Sequence, residues 1–260
     1  MQPNPVIDKR ESRIQRRHPR WTSPGRRARI EGNGAPAVQE KRSAGGPFRS
    51  ERALRALNVF VAVIGLILAA PLMLVIAVLI KLTSKGPVLY KQPRVGLDRR
   101  RGGRSTDNWR RKIDYGGKIF EIYKFRTMVV DADKDGQRWA SPSDPRVTPI
   151  GRILRQYRLD ELPQLFNVLK GDMNIVGPRP EQPRIFLELR ELIDGYPQRQ
   201  RVPPGITGWA QVNQHYDRSV DDVRSKLAYD LEYIERRSVL EDFRIMLRTV
   251  PTIIFRQGAW

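Results

Sequence analysis

Between Val59 and Ile80 the chain carries no charged residue, and Val, Leu, Ile and Ala fill most positions. About 20 such residues in a row match the length a helix needs to cross a hydrocarbon layer, and exceed what an ordinary core helix uses. A chain with this run folds around a membrane contact. Pro71, after Ala69-Ala70, stands near the middle, where a proline removes a backbone hydrogen bond and bends or breaks the helix. Positive charge flanks both ends, with Arg49, Arg52 and Arg55 before the run and Lys81, Lys85, Lys91 and Arg94 after it. Basic flanks stay on the cytoplasmic side, and one straight span cannot keep both there. We therefore expect a re-entrant helix hairpin over 51–85 that bends at Pro71 and leaves by the face it entered. Each arm rises about 15–18 Å, roughly one leaflet. Backbone groups freed at the bend need partners in an apolar medium, and Asn58 is a candidate. A kinked spanning helix is the alternative.

The formal net charge is +20 and the pI near 10.8, which points to anionic partners such as phosphates, nucleotides or anionic lipid. With no cysteine, disulfides, thiol nucleophiles and thiolate metal sites are excluded. Only His18 and His215 are present, so a histidine zinc site or a Ser-His-Asp triad has little to build on. Acid–base or nucleophilic work falls to carboxylates. Residues 1–50 mix Pro, Gly, Ser and Arg without apolar periodicity and read as a disordered basic tail. The apolar run begins too late for a secretory signal. A basic tail before it fits attraction to an anionic leaflet. Without interleaved aromatics, no nucleic-acid partner is expected.

The chemistry is expected in Arg158-Leu159-Asp160-Glu161-Leu162-Pro163-Gln164, where two adjacent carboxylates stand beside an arginine in a basic protein. Pro163 is tolerated in a first helical turn, so a helix is expected to start at Asp160 or Glu161, with Asp160 as its N-cap. Lys170-Gly171 ends it. A capping carboxylate alone needs no function; its neighbours decide. Upstream, Val88-Leu89-Tyr90 and Lys118 to Tyr123 read as paired strands around an exposed basic insert, Arg99 to Lys112. The second strand leads into Lys124-Phe125-Arg126-Thr127-Met128, whose alternation sets Lys124 and Arg126 on one side to meet a phosphate. Asp131 to Gly136 imitates a calcium loop, but Pro142 stands where its closing glutamate belongs. Asp144-Pro145-Arg146-Val147 precedes Thr148 and Pro149, the N-cap and first position of a helix bearing Ile150, Ile153, Leu154 and Tyr157, with Arg152, Arg155 and Arg158 on its other sides. Beyond the dyad, Pro178-Arg179-Pro180 is stiff and holds a guanidinium ready for a phosphate. Residues 183–196 read as an amphipathic helix with Ile185, Leu189 and Leu192 in register, and 203–212 as a rigid loop with a strand through Val212. Residues 219–237 form a charged helix turning Val223, Leu227 and Leu231 inward. Phe243 to Trp260 mixes arginines with Ile, Leu and Phe, a pattern suited to a membrane interface or to packing on the domain.

Taken together, the Pro71-broken helix, Lys124-Phe125-Arg126-Thr127-Met128, Leu159 to Gln164, Gly177-Pro178-Arg179-Pro180 and Pro204-Gly205-Ile206-Thr207-Gly208 resemble the bacterial sugar transferase family, monotopic polyprenyl-phosphate hexose-1-phosphate transferases. The resemblance runs from about Arg52 to Trp209 and more weakly to the end. It implies an α-dominated α+β, membrane-associated monotopic domain with a Pro-broken re-entrant helix, a short β element and interfacial amphipathic helices. The catalytic core would cover 86–215, and C-terminal helices 216–260. It implies transfer of a sugar-1-phosphate from a UDP-sugar to polyprenyl phosphate at the cytoplasmic face of a bacterial inner membrane, the first step of exopolysaccharide or O-antigen assembly. By that analogy Asp160 is the nucleophile and forms a phosphosugar intermediate, and Glu161 helps to place Mg2+, with Asp160 and Glu161 as metal ligands. Arg179 grips the nucleotide sugar, and Lys124, Arg126, Arg146 and Arg158 are further candidate substrate-binding cations. A homo-oligomer is left open, and the sugar is not specified. The basic insert departs from the family pattern, and a basic tail replaces the multi-helix N-terminal domain of larger members. A membrane-anchored binder of anions and an aspartyl phosphohydrolase are the competing classes.

Overall fold

The computed structural model describes residues 50–99, 115–130, 132, 144–214 and 220–254. The basic tail, most of the basic insert, the calcium-loop imitation save Ala132, both histidines, Phe255 and Trp260 lie outside them.

The apolar run forms α1 (Glu51–Thr83), 33 residues long and continuous through Pro71. The expected pair of arms is thus one unbroken helix. Leu and Ala on either side of Pro71 are strong helix formers, and they outweigh the single backbone bond it removes. Any re-entry is a bend within this helix. Leu54, Asn58, Ala62, Ile76 and Ile80 are its buried positions, with Gly65 and Met73 half-buried between them. With half-buried Ala69 these recur every three or four residues, so both halves lean one face on the same body. The opposite face exposes Phe60, Ile67, Leu68, Leu74 and Leu82. By length and composition α1 is long and apolar enough to cross a membrane.

β1 (Leu89–Val95) and β2 (Ile119–Phe125) pair antiparallel, with Tyr90 opposite Lys124 and Val95 opposite Ile119. Both extend further than their apolar cores predict, because pairing carries β1 on past Tyr90. α2 (Pro149–Gln156) starts as expected: the Thr148 side chain accepts from the Gly151 N–H at 3.0 Å. α3 (Gln164–Lys170) ends on Gly171 in the left-handed conformation, also as expected. A short parallel pair follows, β3 (Asn174–Val176) beside β4 (Gly205–Thr207). Between them lies α4 (Pro183–Leu192). Its inward side chains are Phe186 and Leu189, continued by Ile193, whereas Leu192 is exposed. The stripe is phased one residue away from the Ile185–Leu192 register. The strand expected through Val212 stops at Thr207, and α5 (Trp209–Asn213) takes over. α6 (Val220–Arg236) buries Val223 and Leu227 and packs Leu231 as expected. α7 (Val239–Ile254) buries Ile245 and leaves Leu240, Phe243, Leu247 and Val250 exposed.

The main core joins Ala62 of α1, Phe120 and Ile122 of β2, Val168 of α3, Val176 of β3 and Ile245 of α7. α1 is locked to it by polar contacts as well as apolar ones. Arg55 donates to the Val168 and Leu169 carbonyls at 2.6 and 2.8 Å, closing the C-terminal end of α3. Asn58, rather than serving a bend at Pro71, accepts from the Ile175 N–H at 2.5 Å and donates to the Leu54 carbonyl.

Candidate active site

The dyad sits in a 3₁₀ turn, Leu159–Glu161, and not at a helix N-cap. α3 starts only at Gln164, behind Pro163, and neither Asp160 nor any other side chain caps it. The reason lies one residue upstream. Arg158 has φ 53°, a left-handed conformation that reverses the chain after α2. Such a non-glycine residue stores about 1–3 kcal/mol of strain and persists only where its surroundings enforce it. The tight turn that follows buries both carboxylates, leaving Asp160 and Glu161 each 7% exposed.

Two cations reach them from distant parts of the chain. β2 delivers Lys124, whose Nζ lies 3.0 Å from Glu161 Oε1 and 3.7 Å from Asp160 Oδ2. The loop after β3 delivers Arg179, whose Nη2 lies 2.6 Å from Glu161 Oε1 and whose Nη1 lies 3.4 Å from Oε2. Glu161 therefore takes both cations, while for Asp160 the Lys124 contact is too long to be a hydrogen bond. Their proton affinities diverge accordingly. Burial pushes Asp160 up, with the adjacent Glu161 charge adding to it and Lys124 opposing it. Burial also acts on Glu161, but Arg179 and Lys124 together overcome it and hold that carboxyl well below its usual range. Glu161 is charge-balanced in place, and Asp160 is the more basic of the two. That asymmetry is what a nucleophile beside a positioning carboxylate needs.

The other predicted cations are placed differently. Arg158 adds its field to Glu161 from within the turn. Arg126 does not share the dyad face with Lys124: its Nη2 donates to the Ser84 carbonyl at 2.9 Å and to Ser84 Oγ at 2.7 Å. It thus caps the negative end of α1. Gly86, at φ +117°, lies against this guanidinium, and a side chain there would collide with it. Strand alternation stops at Phe125, which is why Arg126 escapes the phase of Lys124. Arg146 turns to Asp144, at 2.7 Å, and to the Ala132 carbonyl. Its hydrogen bonds hold the Asp144 carboxyl at about 2. Arg155 was not singled out by the sequence, yet its charge reaches Asp160 and its Nε donates to Thr127 Oγ1 at 2.9 Å. The Arg152-Arg155-Arg158 spacing was the available signal.

The two carboxylates suit Mg2+ only as an ion that completes its shell with substrate phosphate oxygens, as magnesium commonly does. Among the described residues no group of three or more acidic or histidine side chains forms an all-protein site.

The bacterial sugar transferase family matches residues 49–256 of this chain. The chain belongs to that family. Relatives of this chain include the UDP-N-acetylgalactosamine-undecaprenyl-phosphate N-acetylgalactosaminephosphotransferase of Aeromonas hydrophila. It is 42% identical over 205 residues, which cover 79% of this chain and 44% of that protein. The undecaprenyl-phosphate glucose phosphotransferase of Komagataeibacter xylinus is 42% identical over 212 residues, 79% of this chain and 36% of its own. The exopolysaccharide production protein PSS of Rhizobium leguminosarum is 38% identical over 209 residues, 78% of this chain and 95% of its own. The chain thus spans less than half the length of the first two and nearly all of the third. Two relatives named for different sugars are equally similar to this chain, so overall identity does not select a sugar.

Proposed function

We propose that this chain transfers a sugar-1-phosphate from a UDP-sugar to polyprenyl phosphate, releasing UMP, through a phosphosugar bound to Asp160. The observation that carries the reading is the unequal dyad, a buried Asp160 whose nearest cation, Lys124, stands off at 3.7 Å, beside a Glu161 held by Lys124 and Arg179 at 3.0 and 2.6 Å. In the first step an Asp160 carboxylate oxygen bonds to the β-phosphorus, and the bond from that phosphorus to the α–β bridging oxygen breaks, its electrons leaving with UMP. In the second, a phosphate oxygen of the lipid attacks the same phosphorus and the Asp160 carboxylate departs, giving a polyprenyl-diphosphate sugar. Splitting one displacement into two suits a site that must pass a group from a soluble donor to a membrane acceptor. Arg179 grips the donor diphosphate, while Lys124 and Arg155 offset charge that builds on the transferred phosphoryl group. Mg2+, held by Asp160 and Glu161 together with donor phosphate oxygens, would supply screening between the nucleophile and its polyanionic substrate.

Support for the membrane side comes from α1. Both of its halves pack on the same body, through Leu54 and Ala62 at one end and Ile76 and Ile80 at the other, while its outer face is apolar. A re-entrant helix bent at Pro71 satisfies this packing and the basic residues at both ends, and it sets the dyad at the cytoplasmic surface of the inner membrane.

The test is UMP release from a panel of UDP-sugars with polyprenyl phosphate, Mg2+ and detergent-solubilised protein, wild type beside Asp160→Asn. Lipid-dependent release with one donor, lost in the variant, is the expected result. Release that turns over beyond one UMP per protein without lipid would make the chain a phosphohydrolase, and a variant equal to wild type would remove Asp160 from the chemistry.

A further inference from the structure

The loop that carries Arg179 has an unusual support. Four consecutive carbonyls are each taken by a donor from elsewhere: Pro178 by the Gly205 N–H at 3.0 Å, Arg179 by Arg199 Nη2 at 3.1 Å, Pro180 by Arg94 Nη1 at 3.0 Å, and Glu181 by the Val95 N–H at 2.9 Å. Two of these donors are guanidinium groups, and that of Arg199 is fully engaged. Its Nε and Nη2 meet Asp230 Oδ2 at 3.0 and 2.7 Å, its Nη1 reaches Tyr196 Oη at 2.6 Å and Glu181 Oε1 at 3.3 Å, and its remaining N–H is the one on the Arg179 carbonyl. A guanidinium has five N–H donors in one plane, and here four hydrogen bonds and the Nη2–Asp230 ion pair engage all three nitrogens.

The position is buried, with Arg199 4% and Asp230 2% exposed. Lys226 of α6 adds a second tie, its Nζ 3.1 Å from Glu181 Oε1. An ion network inside a protein gives little net stability compared with apolar packing of the same volume. What it provides is geometry: a planar fork that sets one backbone carbonyl at a defined place relative to α6.

We propose that Arg199 is a positioning residue for donor binding, which anchors the main chain of Arg179 to Asp230 of α6 so that the Arg179 guanidinium stays at the dyad. This rests on the reading of Arg179 as the group that grips the donor diphosphate. Arg199 touches neither dyad carboxylate, so its effect passes through Arg179. Lysine keeps the charge but cannot serve Asp230, Tyr196, Glu181 and the Arg179 carbonyl at once. A displaced clamp weakens donor binding, and a shift on the order of 1 Å is enough for a large loss.

The experiment is a double-variant cycle on full-length protein, reading UDP-sugar affinity by calorimetry, KM and kcat for donor and lipid, and Tm. Arg199→Lys is expected to weaken donor affinity by about tenfold, with the lipid KM unchanged. In an Arg179→Ala background the same substitution is expected to leave donor affinity within twofold, because the group it positions is gone. Equal penalties in both backgrounds, or parallel losses for donor and lipid, would overturn the positioning role. Where Arg199→Lys fails to fold, Asp230→Asn is put through the same cycle with the same expectations. If wild type binds no UDP-sugar, the donor reading itself fails, and that is distinct from binding with additive penalties.

Discussion

Asp160 and Glu161 are neighbours with equal burial, and yet the fold treats them oppositely. Glu161 balances Lys124 and Arg179, so removing its charge strands two cations in a largely closed site. Glu161→Gln is expected to lower stability by about 1–3 kcal/mol, seen as a drop in Tm. Asp160 bears a charge that burial opposes and that Lys124, at 3.7 Å, repays only in part. Asp160→Asn is expected to abolish transfer while raising Tm by a few degrees, roughly 1 kcal/mol for a domain of this size. If both substitutions lowered Tm alike, the two carboxylates would be equivalent and the division of roles would fall. Active sites often hold such unfavourable charges because chemistry requires them.

At the level of elements, α1 is held by specific polar contacts as much as by its apolar face. Asn58 Oδ1 accepts from the Ile175 N–H at 2.5 Å. Asn58→Leu keeps the volume but orphans that donor, and a loss of about 1–3 kcal/mol is expected from thermal unfolding in detergent. In the proposed re-entrant arrangement, a bend at Pro71 governs topology rather than stability. Cysteines placed at Ser50 and Lys85, one at each end of α1, are both expected to label from the cytoplasmic side. Labelling of only one of them would establish a true span. Pro71→Ala restores the missing backbone bond, and it is expected to straighten the helix and take one of the two sites out of reach.

For the whole molecule, the corner between α6 and α7 couples the C-terminal helices to both β3 and α1. Tyr233 Oη lies 2.7 Å from Asp242 Oδ1 and 3.2 Å from the Val176 carbonyl, and its one proton serves only one of them. Asp242 Oδ2 is buried without a hydrogen-bond partner. A protonated Asp242 resolves the conflict by donating to Tyr233, which then donates to Val176. Burial pushes the Asp242 carboxyl up to about 6, Glu241 and Glu51 adding to this and the Tyr233 hydrogen bond and Arg237 opposing it. Because the folded state holds this proton more tightly than the unfolded chain, the contribution to stability is fully present below pH about 4 and is lost as pH rises through about 6. Tm measured from pH 4 to 7 is expected to show this decline, and Asp242→Asn to flatten it. An unchanged slope in the variant would place the titration elsewhere. Arg237, 2.5 Å from Glu51 at the start of α1, ties the same corner to that helix.

Much of this was written in local sequence. Thr148-Pro149 started α2 and Gly171 ended α3, because capping and left-handed glycine depend on a few adjacent residues. The β1–β2 pairing, the apolar stripe of α6 and the dyad with its Pro-Arg-Pro neighbour were legible for the same reason. The helix expected to begin at Asp160 failed because the left-handed Arg158 is imposed by packing around the turn, which no short-range preference encodes. Lys124 and Arg126 looked equivalent in the sequence. Only the meeting of β2 with the 3₁₀ turn and with the end of α1 sent one to Glu161 and the other to Ser84. The Arg199–Asp230 anchor, between residues 31 positions apart, had no local signature at all. Backbone preferences act over a turn or a strand pair, so the sequence alone determined most of the elements and marked the candidate dyad. Which cation neutralises which buried carboxylate is decided where distant elements close on one another, and that belongs to the tertiary structure.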